Sequence, residues 1–189
     1  MAATAQDLQA FLYRAVTANA RLESLSPSAL DSGRPTAPHV VEDFTPDVRV
    51  QAARMGAVYE LLYCLENSAR ELIERTLRER LGDTDWWCAG VAESIRRQAE
   101  ARAADDERAR WHGPRGESLL DYTDFPQLGE IILDRWSDFE DLFGDRRWVE
   151  SYFSEFNRSR RALAHTGQLT DADVERMELR VRDWLRVVG

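Results

Sequence analysis

The chain has 189 residues, of which 43% are hydrophobic and 31% charged, and its formal net charge is −9. That length and composition suit one globular domain with an appended element, able to bury its own core. They exclude a protein that coats nucleic acid over a broad basic surface and a helix of the ~20 apolar residues needed to cross a bilayer. With two cysteines and three histidines, a disulfide framework or a Cys/His zinc site is also excluded.

Residues 1–24 read as an amphipathic helix, with Leu8, Phe11, Leu12 and Val16 at helical spacing. The opening MAATAQDLQAF lacks the basic start and apolar stretch of a secretory leader, so the expected compartment is the cytoplasm. Residues 25–46 hold four of the six prolines and read as an irregular linker rich in proline and serine. Residues 47–189 read as one helical domain. Thr45, Pro46 and Asp47 make a helix start: a capping hydroxyl, proline at the first helical position, an acid in the first turn. Met55, Val58, Leu62, Leu65, Ala69 and Leu72 then form one apolar stripe, with Gly82 as a stop and Gly56 as a place for a bend.

The alanine-rich, charged stretch 88–110 predicts a helix with a thin apolar face, projecting into solvent. WHGPRGES breaks it. Asp124 and Pro126 open one helix that runs to Gly144, with Leu128, Ile131, Ile132, Phe139, Leu142 and Phe143 inward. Asp145 caps the next, which carries Val149, Tyr152, Phe153, Phe156 and Leu163 and ends at Gly167. Thr170 and Asp173 resemble a capping box in which aspartate replaces glutamate. Val174, Met177, Val181, Trp184 and Val188 share a face of the last helix. Five of the six tryptophans fall at core-like positions, and Trp111 falls in a loop. No convincing strand and no internal repeat interrupts what reads as an all-α bundle.

The chemistry points to FNRSRRALAHTG, residues 156–167. With Val149 set at 0°, Phe156 falls at about −20°, Leu163 at about −40° and Arg160 at about +20° on the helix wheel. Arg160 therefore interrupts the apolar face, where a cation must be paired or must line a cleft or an interface. Glu66 is the candidate for a plain buried pair. His165 occupies the last turn, where a helix C-terminus favours an imidazolium. Asn157, Arg158 and Arg161 surround these two, and three arginines in four residues make a local anion site. All 25 basic residues are arginine, which codon bias explains. Their guanidinium groups suit bidentate phosphate contacts. On the earlier helix, Glu66, Asn67 and Arg70 either form a surface pair four residues apart or border the same cleft as Arg160. No GxxxxGK, HExxH or GxSxG pattern is present, and no metal or cofactor is expected.

Arg160 and His165 with four residues between them resemble the signature of the HEPN superfamily: an arginine, four to six residues, and a histidine commonly preceded by alanine. Counted from Arg158, the interval is six. LYCLENSARELIERTLRERLGDTDWW and the stretch from DFPQLGEIILDRW to VRDWL are similar to the HEPN subgroup attached to a nuclear mRNA-surveillance endoribonuclease and found in many bacterial proteins. The resemblance covers about residues 55–187. It implies a HEPN-like helical bundle, here with an extra N-terminal helix, that dimerises. It also implies metal-independent cleavage of RNA through 2′-hydroxyl attack, with His165 in acid–base catalysis and Arg160 on the phosphorane. Asn157, Arg158, Arg161, Glu66, Asn67 and Arg70 are then candidates for substrate binding.

The family departs from this chain at Arg161, where asparagine, aspartate or histidine is common. Arg161 either binds phosphate or marks a non-catalytic binding or interaction module. Both readings stay open, as do a role as toxin or phage-defence effector and an antitoxin or other regulatory partner. The sequence sets two geometric expectations. Arg160 and His165 should border one concave site near the Glu66–Arg70 segment. Yet five residues advance a regular helix by about 500°, leaving roughly 140° between the two side chains. A homodimer with its axis near the motif helix should therefore complete the site.

Overall fold

The computed structural model describes residues 39–109 and 113–189. The expected helix of residues 1–24, the linker up to residue 38, and Trp111 lie outside them. The boundary between structural units falls after Thr45. Of the first unit, His39–Asp43 is a short 3-10 turn within the stretch read as irregular.

The second unit contains seven α-helices, with no strand among the described residues. The first, α1, spans Pro46–Leu81. It buries Val58, Leu62, Leu65, Ala69 and Leu72 along the expected stripe, with Met55 half-buried. It runs unbroken through Gly56, because packing along the stripe outweighs the ~1 kcal/mol that one helical glycine costs. Gly82 ends it in the left-handed region, with φ of 85°.

Two helices follow, α2 (Trp86–Gly90) and α3 (Glu93–Arg108). Helix α3 does not project into solvent. It buries Ile95 and Ala99, and Arg102 donates to the Tyr122 carbonyl at 2.8 Å and to Gln127 Oε1 at 2.9 Å. Two buried apolar residues and one anchored guanidinium are enough to dock it against the 3-10 turn Leu119–Tyr122.

The single helix expected between Asp124 and Gly144 is two: α4 (Phe125–Asp134) and α5 (Trp136–Phe143). The break is at Arg135, whose Nε donates to Asp138 at 2.7 Å and fixes the turn. Ile131, Ile132 and Phe139 are buried on either side of it, but Leu142 is exposed.

Helix α6 (Arg146–Ala164) starts at Asp145, whose carboxylate accepts from the Arg147 N–H at 2.8 Å. Its face Val149, Tyr152, Phe153 and Phe156 is buried. Helix α7 (Asp171–Val188) starts with the expected box: Asp173 N–H donates to Thr170 Oγ1 at 3.2 Å, and Thr170 N–H to Asp173 Oδ2 at 3.0 Å. Trp184 is fully buried, and its indole N–H donates to Ser68 Oγ at 3.0 Å, tying α7 to α1. The Tyr152 hydroxyl donates to the Arg180 carbonyl at 3.1 Å, tying α6 to α7. Burial pushes this phenol far above its ordinary value, so it stays a neutral donor.

The end of α6 shapes the candidate site. Gly167 N–H donates to the Ala162 carbonyl at 2.8 Å and Thr166 N–H to the Leu163 carbonyl at 3.0 Å. This crossed pair is a Schellman motif. Its left-handed residue is Thr166, with φ of 57°, and not the glycine. Gly167 is needed for a different reason: a Cβ there would meet the Ala162 carbonyl oxygen at 2.8 Å.

Candidate functional site

Leu65 and Ala69 turn into the core, so Glu66 and Arg70 beside them lie at its edge. Their side chains are only 15% and 14% exposed, and they are ion-paired. This is not the exposed pair one turn apart that sequence spacing allows. Arg70 also donates to the carbonyls of Leu120 and Thr123, each at 3.2 Å. It therefore clamps the 3-10 turn onto α1. The second Glu66 oxygen lies 3.4 Å from Arg160 Nε. One carboxylate thus bridges α1 and α6.

Arg160 is 39% exposed. It stands at the wall of a cleft of about 600 Å³ between α1 and α6, together with Glu66, Asn67, Arg70, Tyr59 and Tyr63. The expected neighbourhood of Arg160 with the Glu66–Arg70 segment is present. So is the plain ion pair with Glu66.

His165 is elsewhere. It is exposed and caps α6, its N–H donating to the Arg161 carbonyl at 3.2 Å. It lines a second hollow of about 510 Å³ with Ser154, Asn157, Arg158, Arg161 and Gly167. The expectation that Arg160 and His165 border one concave site within a chain is therefore wrong. The roughly 140° of helix rotation between them sends each to its own side of α6. Arg158, Arg161 and His165 follow at intervals of three and four and share a face. Among the described residues no carboxylate lines the His165 groove, although Arg158 also lines an adjoining hollow of about 410 Å³ with Glu155 and Asp173. That groove is a local cationic site on an acidic protein. Among the described residues no three His, Cys, Asp or Glu side chains gather closely enough to hold a metal ion.

Sequence reasoning passed over Tyr59, Tyr63 and Arg115, which line the Arg160 cleft, and Ser154 in the His165 groove. The two tyrosines were legible as neighbours one turn apart in YELLY. They flank the apolar stripe, whose spacing carries no signal for them.

The family described as Swt1-like HEPN matches the chain over residues 60–189, more than two thirds of its length. The chain belongs to the HEPN family. No curated protein and no solved structure matches it significantly. The HEPN match takes in Glu66, Arg70, Arg158, Arg160 and His165 and starts just after Tyr59. The all-α bundle is the fold the HEPN resemblance implies. Among the described residues of this HEPN protein, no helix is long and apolar enough to cross a membrane.

Proposed function

We propose that this HEPN protein is a metal-independent endoribonuclease whose working form is a homodimer in the cytoplasm. The observation that carries the reading is the carboxylate-free groove in which His165 lies with Arg158, Arg161 and Asn157. A phosphodiester seated there meets two guanidinium groups and one imidazole. In the reaction, the ribose 2′-hydroxyl oxygen attacks the adjacent phosphorus and its proton passes to a neutral imidazole. The P–O5′ bond breaks, and an imidazolium delivers a proton to the departing oxygen. The products are a 2′,3′-cyclic phosphate and a 5′-hydroxyl. Guanidinium groups stabilise the charge that grows on the phosphorane oxygens.

One histidine does not serve as base and acid in the same step. A two-fold pairing supplies the partner's His165 as the second group, and it is also the way to bring an Arg160 toward a His165. Such an activity has to be restrained in a cell, which suits a toxin or phage-defence effector with an inhibitory protein partner. The test is cleavage of bulk RNA in EDTA by the wild type and by His165→Ala, with analysis of the new ends. The reading predicts cyclic phosphate ends from the wild type and a loss of activity of at least about a hundredfold in the variant. Equal, negligible cleavage by both contradicts it.

A second reading is a HEPN module that binds RNA or a protein without cutting. It is favoured by the ion pair between Arg160 and Glu66, which occupies the motif arginine, and by Arg161 in place of the residues common after it.

A further inference from the structure

Tyr59 and Tyr63 are the most conspicuous exposed side chains at the Arg160 cleft. They are 63% and 59% exposed, although each carries a large apolar ring. They lie one turn apart on α1, with ring centroids 6.4 Å from each other and planes inclined at 39°, so they form one aromatic surface. Among the described residues neither ring has another aromatic neighbour in stacking range. Asn67 continues the same face, its Nδ2 donating to the Tyr63 carbonyl at 2.8 Å. The cleft walls carry three guanidinium groups, Arg70, Arg115 and Arg160, and two carboxylates, Glu66 and Asp121, and Asp106 is ion-paired to Arg115 at 2.9 Å. An aromatic surface beside two partly exposed guanidinium groups, Arg115 and Arg160, on a chain of charge −9, suits a planar ring joined to an anion.

The cleft and the His165 groove also share one element. Arg160, Leu163 and Ala164 face the cleft, while Arg158, Arg161 and His165 face the groove. A single strand crossing the last two turns of α6, a rod about 10–12 Å across with its side chains, reaches both. Duplex RNA cannot present base faces to tyrosine rings, because its bases are stacked on one another.

We propose that Tyr59 and Tyr63 form a stacking platform that holds an unpaired base of a single-stranded RNA. The neighbouring phosphates run past Arg160 toward the His165 groove. This rests on the reading that the protein acts on RNA, and it adds that the substrate is single-stranded at the site. The platform is sequence-tolerant, since every base has a face to stack.

The test is equilibrium binding of a fluorescein-labelled, unstructured RNA oligonucleotide to the full chain carrying His165→Ala, so that cleavage does not intervene. Tyr59→Ala with Tyr63→Ala should weaken binding about tenfold or more. The double Tyr→Phe variant should bind like the parent, and the annealed duplex should bind more weakly than the single strand. Both rings are exposed, so thermal melting should be unchanged in every variant. The platform is overturned if the Ala variant binds like its parent, if the parent binds no RNA, or if duplex and single strand bind alike. It is also overturned if the Ala variant changes the mass seen by light scattering and not the RNA affinity, since the face then holds another protein chain. The nuclease reading is judged separately, by whether the wild type cuts RNA.

Discussion

Arg70 reaches three acceptors at once: the Glu66 carboxylate and the carbonyls of Leu120 and Thr123. Its removal leaves Glu66 mostly buried with one cation fewer and frees the 3-10 turn. Arg70→Ala should therefore lower unfolding free energy by roughly 3 kcal/mol, the low end for losing one partner of a buried pair. His165→Ala, at an exposed cap, should leave stability nearly unchanged while removing cleavage. Urea denaturation of the two variants separates the clamp from the chemistry, and equal losses in both would contradict this division. Thr166 presents the opposite case. A β-branched residue at φ of 57° is strained, and its hydroxyl bonds only the neighbouring His165 carbonyl at 2.7 Å. Thr166→Gly should stabilise the protein by about 1 kcal/mol. Gly167→Ala should destabilise it, because the new methyl meets the Ala162 carbonyl. A lower melting point for Thr166→Gly would show that the hydroxyl outweighs the strain. The strain was not legible, since the sequence marks the helix end at Gly167 and the left-handed residue is Thr166, one position earlier.

At the scale of elements, the capping box at α7 gives a pH dependence with a definite sign. The Thr170 hydroxyl and backbone N–H hold the Asp173 carboxyl below its ordinary value near 3.8. A depressed value means that the contribution is present above the ordinary value and is lost as pH falls through the lowered one. Asp173→Asn should melt earlier than the wild type at neutral pH, and the gap should close in acid. A gap that persists at acid pH would assign the cap to the amide geometry and not to the charge. The box was legible because its two partners sit three residues apart in sequence. The break at Arg135 was not. Leu128, Ile131, Ile132 and Phe139 keep helical phase across it, so periodicity runs through a turn that the Arg135–Asp138 pair creates. The docking of α3 was missed for a related reason. Ile95 and Ala99 give little apolar moment, and its anchor is an arginine that reaches a backbone oxygen 20 positions away and an amide oxygen 25 away.

At the scale of the whole molecule, Arg160 and His165 take different sides of α6 and line separate hollows. The rotation that separates them was legible from helix geometry alone. The pair between Arg160 and Glu66 was legible as one of two alternatives, because a cation on an apolar face needs a partner. The proposed dimer brings two His165 side chains to one phosphodiester, and light scattering should find it at micromolar protein. The acidic remainder of the surface should repel RNA away from the grooves, an effect that salt screens. The most direct measurement of the account is a mixing experiment with wild-type and His165→Ala chains under subunit exchange. If both imidazoles serve one site, a roughly ninefold excess of the variant leaves each wild-type chain paired with its like about a tenth of the time, and RNA cleavage per wild-type chain falls to about a tenth. An undiminished rate per wild-type chain, or no cleavage by the unmixed protein, would contradict the shared site.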